Sequence, residues 1–407
     1  MGWIITATLN SALCLTENRG VGNVLPTLDF IPGTTLRGAL ASRWLSQPGH
    51  SPHVQDFKDL FLSEEVSFPN LYSWDYLGRV GVLPLSARSC KYYSGFLFDG
   101  QGAHGVRDAV IPWLRYRLGL DPQLDPQILT CGFITGNAEG HCQASLEPLA
   151  GYYTLRDNRD FHLRPVAKRL LARTAILETR EVARPGALYT LEALNEGQAF
   201  AGEWKGQDAV RLKLQALLDA DEVLFLGTAR SRGLGEVKLG LEKDVTTSQS
   251  VKERLLKFNA AIYGGAGQIT HFSLTLESDA VLLDDLLGYK SHIEINDLLE
   301  VVSNQPEKAL LERFVLKEAW CAPQRLSGWQ AVWKLPKPEE QAIRRGSVFV
   351  YGLKDSKPGA SASLLDDEVD QLAKVLEYLE DQGVGERPTE GYGRVRVCHE
   401  FHRAGKI

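Results

Sequence analysis

A chain of 407 residues, 44% hydrophobic and 24% charged, is long enough for two or three domains with cores of their own, and its composition is that of an ordinary globular protein. No apolar run approaches a bilayer span, the start MGWIITATLNS lacks a signal peptide's basic residues, and six scattered cysteines make no disulfide framework, so the expectation is a cytoplasmic protein with no membrane partner. The net charge of −6 argues against indiscriminate nucleic-acid binding by the whole surface and leaves room for a local basic groove.

Residues 2–16 alternate as a first strand, and a loop with Gly20, Gly22 and Pro26 follows. In FIPGTTLRGALASRWL, Pro32 and Gly33 mark a turn and Thr34 or Thr35 is suited to cap a helix. Leu36, Leu40 and Trp44 fall on one stripe and Arg37 on another face. A helix start preceded by glycine, with hydroxyls and an arginine, is a seat for phosphate. This nominates Gly33, Thr34, Thr35 and Arg37, with a merely capped structural helix as the alternative for the threonines. GTTLRGALAS lacks the Gly-Lys-Ser/Thr ending of a nucleotide P-loop.

From about 50 to 150 the pattern is irregular and reads as an insertion in the first domain. It holds Cys90, His104, Cys131, His141 and Cys142. Structural zinc usually takes ligands in close pairs such as C-x₂-C, and no such pair exists here. Ordinary buried thiols are therefore the expectation, with no metal and no cofactor. A degenerate zinc site on Cys90, His104, Cys131 and Cys142 is the alternative.

A basic stretch follows, with Arg156, Arg159, Arg164, Lys168, Arg169, Arg173, Arg180 and Arg184. Residues 173–181 and 188–194 read as a hairpin turned at Pro185 and Gly186. Such a ribbon can lie along a nucleic-acid backbone, which nominates Arg164, Lys168 and Arg173. It can equally be an edge ribbon kept soluble by its charges.

A helix over 207–220 leads into 223–239, VLFLGTARSRGLGEVKL, which reads as strand, glycine-rich basic loop, strand. The chain repeats this near its end in VGERPTEGYGRVRV. Gly227, Gly233, Gly235, Val237 and Leu239 match Gly385, Gly391, Gly393, Val395 and Val397 at identical spacing. Glycines admit positive φ and close approach to the main chain, and successive N–H groups in such a turn suit anions. Arg230, Ser231 and Arg232 in the first copy join Arg387, Thr389, Tyr392 and Arg394 in the second as RNA-binding candidates. Tight turns between strands are the alternative role for the glycines.

Residues 246–265 read as a linker with a helical segment over 251–259. The second domain then opens with a strand in ITHFSLTLESDAVLL and continues with a helix over 307–321. A strand over 347–352, entered through Arg344, Arg345 and Gly346, precedes an acidic helix over 366–381. That acidic face reads as solvated, or as a protein-contact surface. Each half has the order β, helix, β-strands, helix, β of a split β-α-β unit. The fold class expected is α+β, with two ferredoxin-like (RRM-like) domains at 1–245 and 266–407.

With those pieces assembled, the chain resembles the RAMP superfamily of CRISPR-associated proteins. The resemblance rests on IPGTTLRGALAS, LYTLEALNEGQAFAG, LGTARSRGLGEVKL, SGWQAVWKLPKP, RRGSVFVYG and GVGERPTEGYGRVRV. Within that superfamily it is most similar to the Csx-ten subunit, a Cas-five-like protein of type III-D effector complexes. The resemblance implies a prokaryotic ribonucleoprotein of antiviral defence, whose two ferredoxin-like domains hold the five-prime handle of a CRISPR RNA. It also implies a Cas-ten-like large subunit and a Cas-seven-like backbone subunit as partners, with target RNA met indirectly. The family's glycine loops map onto 227–235 and 385–393, and its first helix turn onto 33–38. Tyr392 and Trp329 are candidates for base stacking.

A non-catalytic scaffold is the expectation. The rival is a RAMP-family endoribonuclease cutting guide precursor or target RNA, which calls for a general base and acid beside a cation. Of nine histidines, His104, His141 and His162 lie in or near the basic half, and Asp157 or Asp160 is the candidate for a target-cutting loop. A dinucleotide-binding enzyme is disfavoured, because the glycines lead into a strand rather than opening a helix.

Overall fold

The protein is described by a computed structural model over residues 2–16, 23–64, 66–97, 102–122, 130–133, 141–156, 160–177, 182–219, 223–243, 249–265, 267–330, 335–354 and 363–404. The first half supplies β1 (Trp3–Leu9), α1 (Gly33–Ser46), β2 (Tyr72–Trp74), β3 (Ala199–Trp204), α2 (Asp208–Asp219), β4 (Leu224–Phe225) and β5 (Glu236–Lys243). They form one antiparallel sheet in the order β4-β5-β1-β3-β2. The two-fold alternation of β1 sends Ile5, Ala7 and Leu9 to one face. There they meet Leu36 and Leu40 of α1 and Leu214 and Leu217 of α2, residues placed on single stripes by helical spacing.

The second half repeats the plan with α3 (Val251–Tyr263), β6 (His271–Leu276), β7 (Phe314–Trp320), β8 (Val348–Leu353), α4 (Asp366–Gln382) and β9 (Val395–Val397). Its antiparallel sheet runs β7-β8-β6-β9. Apart from the two-residue strand β4, both sheets place their first and third strands in the centre, the order of a split β-α-β unit. The stripe Leu372, Val375, Leu376 and Leu379 of α4 closes the second core, each such side chain contributing about 1.5–3 kcal/mol on burial.

Several expectations are corrected. The stretch expected as a linker contains α3, capped by Ser250 and Gly264, whose Val251, Leu255, Phe258 and Ile262 are core residues of the second half. The helix expected over 307–321 is a single turn, Lys308–Leu311, followed by strand β7. Pairing with β8 overrides the helical propensity of Leu316–Ala319, with a register shift between Leu316 and Glu318. The hairpin is Lys168–Leu177 against Val182–Leu194, so Pro185 and Gly186 lie within its second strand, at the register shift beyond Thr174, and not at its turn. Pro32 precedes α1 as its cap, and neither threonine bonds as one.

The insertion begins later than expected, because β2 belongs to the main sheet. Between β2 and β3 it folds into small antiparallel sheets, one of them Ala87–Cys90 flanked by Val106–Asp108 and Leu146–Pro148. Its helix Val110–Arg117 packs on the second half: Val110, Ile111 and Leu114 enter that core, and Arg115 Nη1 donates to Ile262 O at 2.8 Å. No helix among the described residues is long and apolar enough to cross a membrane.

Candidate nucleic-acid interface

The two glycine loops are the same object, hydrogen bond for hydrogen bond. Ala229 and Arg387, at φ 58° and 57°, each open a single 3₁₀ turn, Arg230–Arg232 and Pro388–Glu390, closed by Gly233 and Gly391 at φ 77° and 91°. Thr228 N–H donates to Cys14 O at 3.0 Å, as Glu386 N–H does to Val281 O at 2.8 Å. Gly235 N–H donates to Ala12 O at 2.8 Å, as Gly393 N–H does to Asp279 O at 2.9 Å. A Cβ on Gly227 would lie 2.3 Å from Cys14 O, and one on Gly385 2.3 Å from Val281 O. These glycines therefore serve close passage of two main chains, and the N–H groups of Gly235 and Gly393 are engaged by carbonyls rather than turned to an anion.

Their surroundings differ. The second loop is wedged against the first half: Phe68 N–H donates to Thr389 O at 2.9 Å and Ser67 Oγ to Pro388 O at 3.3 Å. A Cβ on Gly391 would stand 2.8 Å from Phe68 O. Arg37 donates to Phe61 O and pairs with Glu390 at 2.9 Å. Gly33 N–H donates to Asn70 Oδ1 at 2.9 Å, and Arg394 pairs with Glu203 at 2.9 Å. Gly33, Arg37, Thr389, Gly391 and Arg394 thus lie at the joint between the halves, while Gly393 is held within the second half by Asp279 and Val384. The first loop stays open: Arg230, Ser231, Arg232 and Gly233 are exposed, and Arg232 Nη1 donates to Tyr189 OH at 2.5 Å.

Between the open loop and the second half runs a cleft of ≈ 460 Å³. One wall is Thr34, Thr35, Gly38 and Ser42 of α1 with Gly227, Thr228 and Arg230. The other is an arm, Pro323–Leu326 paired with Glu340–Ile343, whose tip carries Trp329 and Lys337. Arg345, Arg387 and Tyr392 lie at the floor with Asp279, Glu340 and Glu390.

The floor cations are neutralised, Arg345 by Asp279 and Asp29 at 3.0 Å each and Arg387 by Glu340 at 2.5 Å. Arg345 also lies 4.3 Å over the Phe30 ring, and Arg387 5.0 Å over Tyr392, whose phenol pKa is raised by burial. Rim cations are differently placed. Arg325 is 68% exposed with Glu339 at 3.8 Å, and among the described residues neither Arg230 nor Lys337 has a carboxylate at ion-pair distance. Trp329 is 49% exposed.

Of the residues nominated from sequence, Thr34, Thr35, Gly227, Arg230, Trp329, Arg387 and Tyr392 line this cleft. The basic stretch does not. Arg156 and Arg164 converge on Asp75, Lys168 on Glu192, and Arg169 on Glu196. Arg173 is half-buried on the hairpin outside the cleft. Arg159, Arg180 and Asp157, and the side chain of Arg184, lie outside the described residues. Sequence reasoning missed Arg325 and Lys337. The signal was present, since Arg325 just precedes SGWQAVWKLPKP and Lys337 lies within it, but nothing in the local pattern marks that arm as facing the loop around Arg230. Cys90, His104, Cys131 and Cys142 come together elsewhere, inside the insertion.

The arrangement defines a class: two split β-α-β sheets joined through one glycine loop, with an open anion-suited cleft beside the other. A sequence model described as the RAMP superfamily matches residues 16–238, and the chain belongs to that superfamily. No curated protein matches it. Among solved structures it is similar to a chain in the Type III-B Cmr-beta bound to cognate target RNA, at 10% identity over 91% of this chain and 94% of that one, with a TM-score of 0.39. It is also similar to Thermus thermophilus Cas6, at 12% identity over 78% and 96% of the two chains, with a TM-score of 0.27.

Proposed function

We propose that this chain is a non-catalytic RNA-binding subunit of a type III CRISPR effector complex, of the Csx-ten kind found in subtype III-D. In this reading it is built of two ferredoxin-like domains, the second beginning with α3 (Val251–Tyr263). It holds the five-prime handle of the CRISPR RNA in the cleft and docks a Cas-ten-like large subunit and a Cas-seven-like backbone subunit. The observation that carries the proposal is the cleft itself, whose lining brings the cations Arg230, Arg325 and Lys337 together with the half-exposed Trp329 around ≈ 460 Å³. Rim cations hold phosphates without reading sequence, and an exposed indole accepts any base by stacking.

A scaffold role is favoured over cleavage because no histidine is among the described residues lining the cleft. His271, His399 and His402 are buried in protein contacts instead. The test is binding and cleavage measured together. Purified chain is mixed with labelled handle-containing RNA, with and without divalent metal. Binding without cutting supports the proposal. Site-specific cuts that vanish in His162→Ala would replace it with the endoribonuclease, and absence of binding would remove the cleft assignment.

A further inference from the structure

The insertion has an unusual burden. Its sheet around Ala87–Cys90 has a small core centred on Leu83, Ala87, Phe96 and Val106, yet it carries the helix that braces the second half. Small units of this kind generally need a staple.

Four side chains from separate segments converge at its edge. Cys90 ends a strand, His104 precedes the next, and Cys131 and Cys142 lie on two segments paired by Gly132 N–H to Cys142 O at 2.9 Å and Cys142 N–H to Phe133 O at 2.8 Å. Their ligand atoms all lie within 4.8 Å of one another. Cys90 Sγ is 3.9 Å from Cys142 Sγ, and Cys131 Sγ is 3.3 Å from His104 Nδ1. A tetrahedron with metal–sulfur bonds near 2.3 Å and a metal–nitrogen bond near 2.0 Å has edges of roughly 3.5–3.8 Å, so the observed spacing fits one ion. The separation of Cys90 and Cys142 is far beyond a disulfide bond of about 2.05 Å.

The surroundings point the same way. The His104 ring is held between Tyr93 at 4.2 Å and Phe133 at 4.3 Å, which fixes Nδ1 toward the sulfurs. Cys90, His104 and Cys131 are buried, so the site is closed and leaves no place for substrate.

We propose that Cys90, His104, Cys131 and Cys142 bind one structural zinc ion, which staples the paired segments 130–133 and 141–145 to the strand Ala87–Cys90 and so holds the insertion against the second half. Three soft sulfurs and one imidazole in a tetrahedral set select zinc over hard cations. Spacing within 4.8 Å leaves room for a single ion rather than an iron–sulfur cluster.

The test uses the full chain, purified under reductant without chelator. Elemental analysis is expected to give one zinc per chain. A mercurial titration should release it as three thiols react. Cobalt exchanged for zinc should show the visible bands of a tetrahedral site with a thiolate-to-metal charge-transfer band. Cys90→Ser/Cys142→Ser should lower zinc at least tenfold and expose the segments 130–133 and 141–145 to proteolysis. Because that variant can misfold, the wild-type measurements stand alone. Folded, reduced wild-type chain that holds under a tenth of a zinc and gives no cobalt spectrum overturns the proposal. So does a Cys90–Cys142 disulfide, seen as the loss of two hydrogens in the intact mass, or an unchanged zinc content in a folded double variant.

Discussion

Removing two rim cations, Arg230→Ala and Lys337→Ala, tests whether the cleft is where RNA binds. Both line the cleft, and neither side chain has a recorded carboxylate partner among the described residues, so a phosphate beside each displaces counterions rather than a protein partner. Each phosphate contact to a single strand contributes about 0.7 to the slope of log K against log salt, so two contacts contribute about 1.4. If the electrostatic term vanishes near 1 M salt, binding at about 0.1 M weakens by about 25-fold, or roughly 1.9 kcal/mol. The assay is a fluorescence-anisotropy titration with a labelled handle RNA at four or more salt concentrations. Arg169→Ala is the control, because Arg169 lies on the hairpin, paired with Glu196 at 2.7 Å. Its slope should match wild type. An unchanged slope in the double variant, or an equal fall in the control, would refute the cleft and leave only a diffuse field.

Trp329→Ala should cost about 1–3 kcal/mol of RNA affinity with the salt slope unchanged, as loss of one stacked base does; unaltered affinity would return the indole to a packing role. Glu390→Gln should lower the melting temperature, with about 1–2 kcal/mol lost as its charged bond to Arg37 at 2.9 Å is weakened, while RNA affinity holds in the folded protein. Burial depresses His271, which is 2% exposed, to a pKa of about 4. Its unfolded value is near 6.5, so the unfolded chain binds the extra proton between those values, and stability present above about pH 6.5 is lost as pH falls toward 4. The whole of that contribution is about 3 kcal/mol. His271→Asn should flatten the pH dependence of melting across that window, and a slope as steep as wild type would contradict the assignment.

The alternation of β1, the stripes of α2 and α4, and the repeated glycines were legible because each is a local pattern. The strand β7 was not, because its residues are adequate helix formers and only the neighbouring β8 decides otherwise. The metal-ligand-like set in the insertion was legible only as the alternative to buried thiols, for a related reason. Thirteen or more residues separate Cys90 from His104 and His104 from Cys131, and the small sheet, rather than spacing, brings them together. Charge was the most misleading signal. Arg156, Arg164, Lys168 and Arg169 look like a strip in one dimension, but each meets a carboxylate contributed by Asp75, Glu192 or Glu196. The acidic helix α4 is similarly committed in part, with Glu380 held between Arg254 at 2.6 Å and Arg396 at 2.8 Å.

The repeat itself explains how a duplicated turn comes to have two uses. The backbone of both loops is dictated by the same close passages, so neither glycine set reports on ligand. What distinguishes them is the 3₁₀ turn each presents. Pro388, Thr389 and Glu390 offer carbonyls and a carboxylate, which suit the N–H of Phe68, the hydroxyl of Ser67 and the guanidinium of Arg37. Arg230, Ser231 and Arg232 offer two cations and a hydroxyl to open solvent. An acceptor-rich turn docks onto a donor-rich protein surface, and a cationic turn repels one. Placing the second copy in the joint leaves the first beside a cleft whose opposite wall brings Arg325 and Lys337, and a polyanion is the ligand that satisfies that combination of charges.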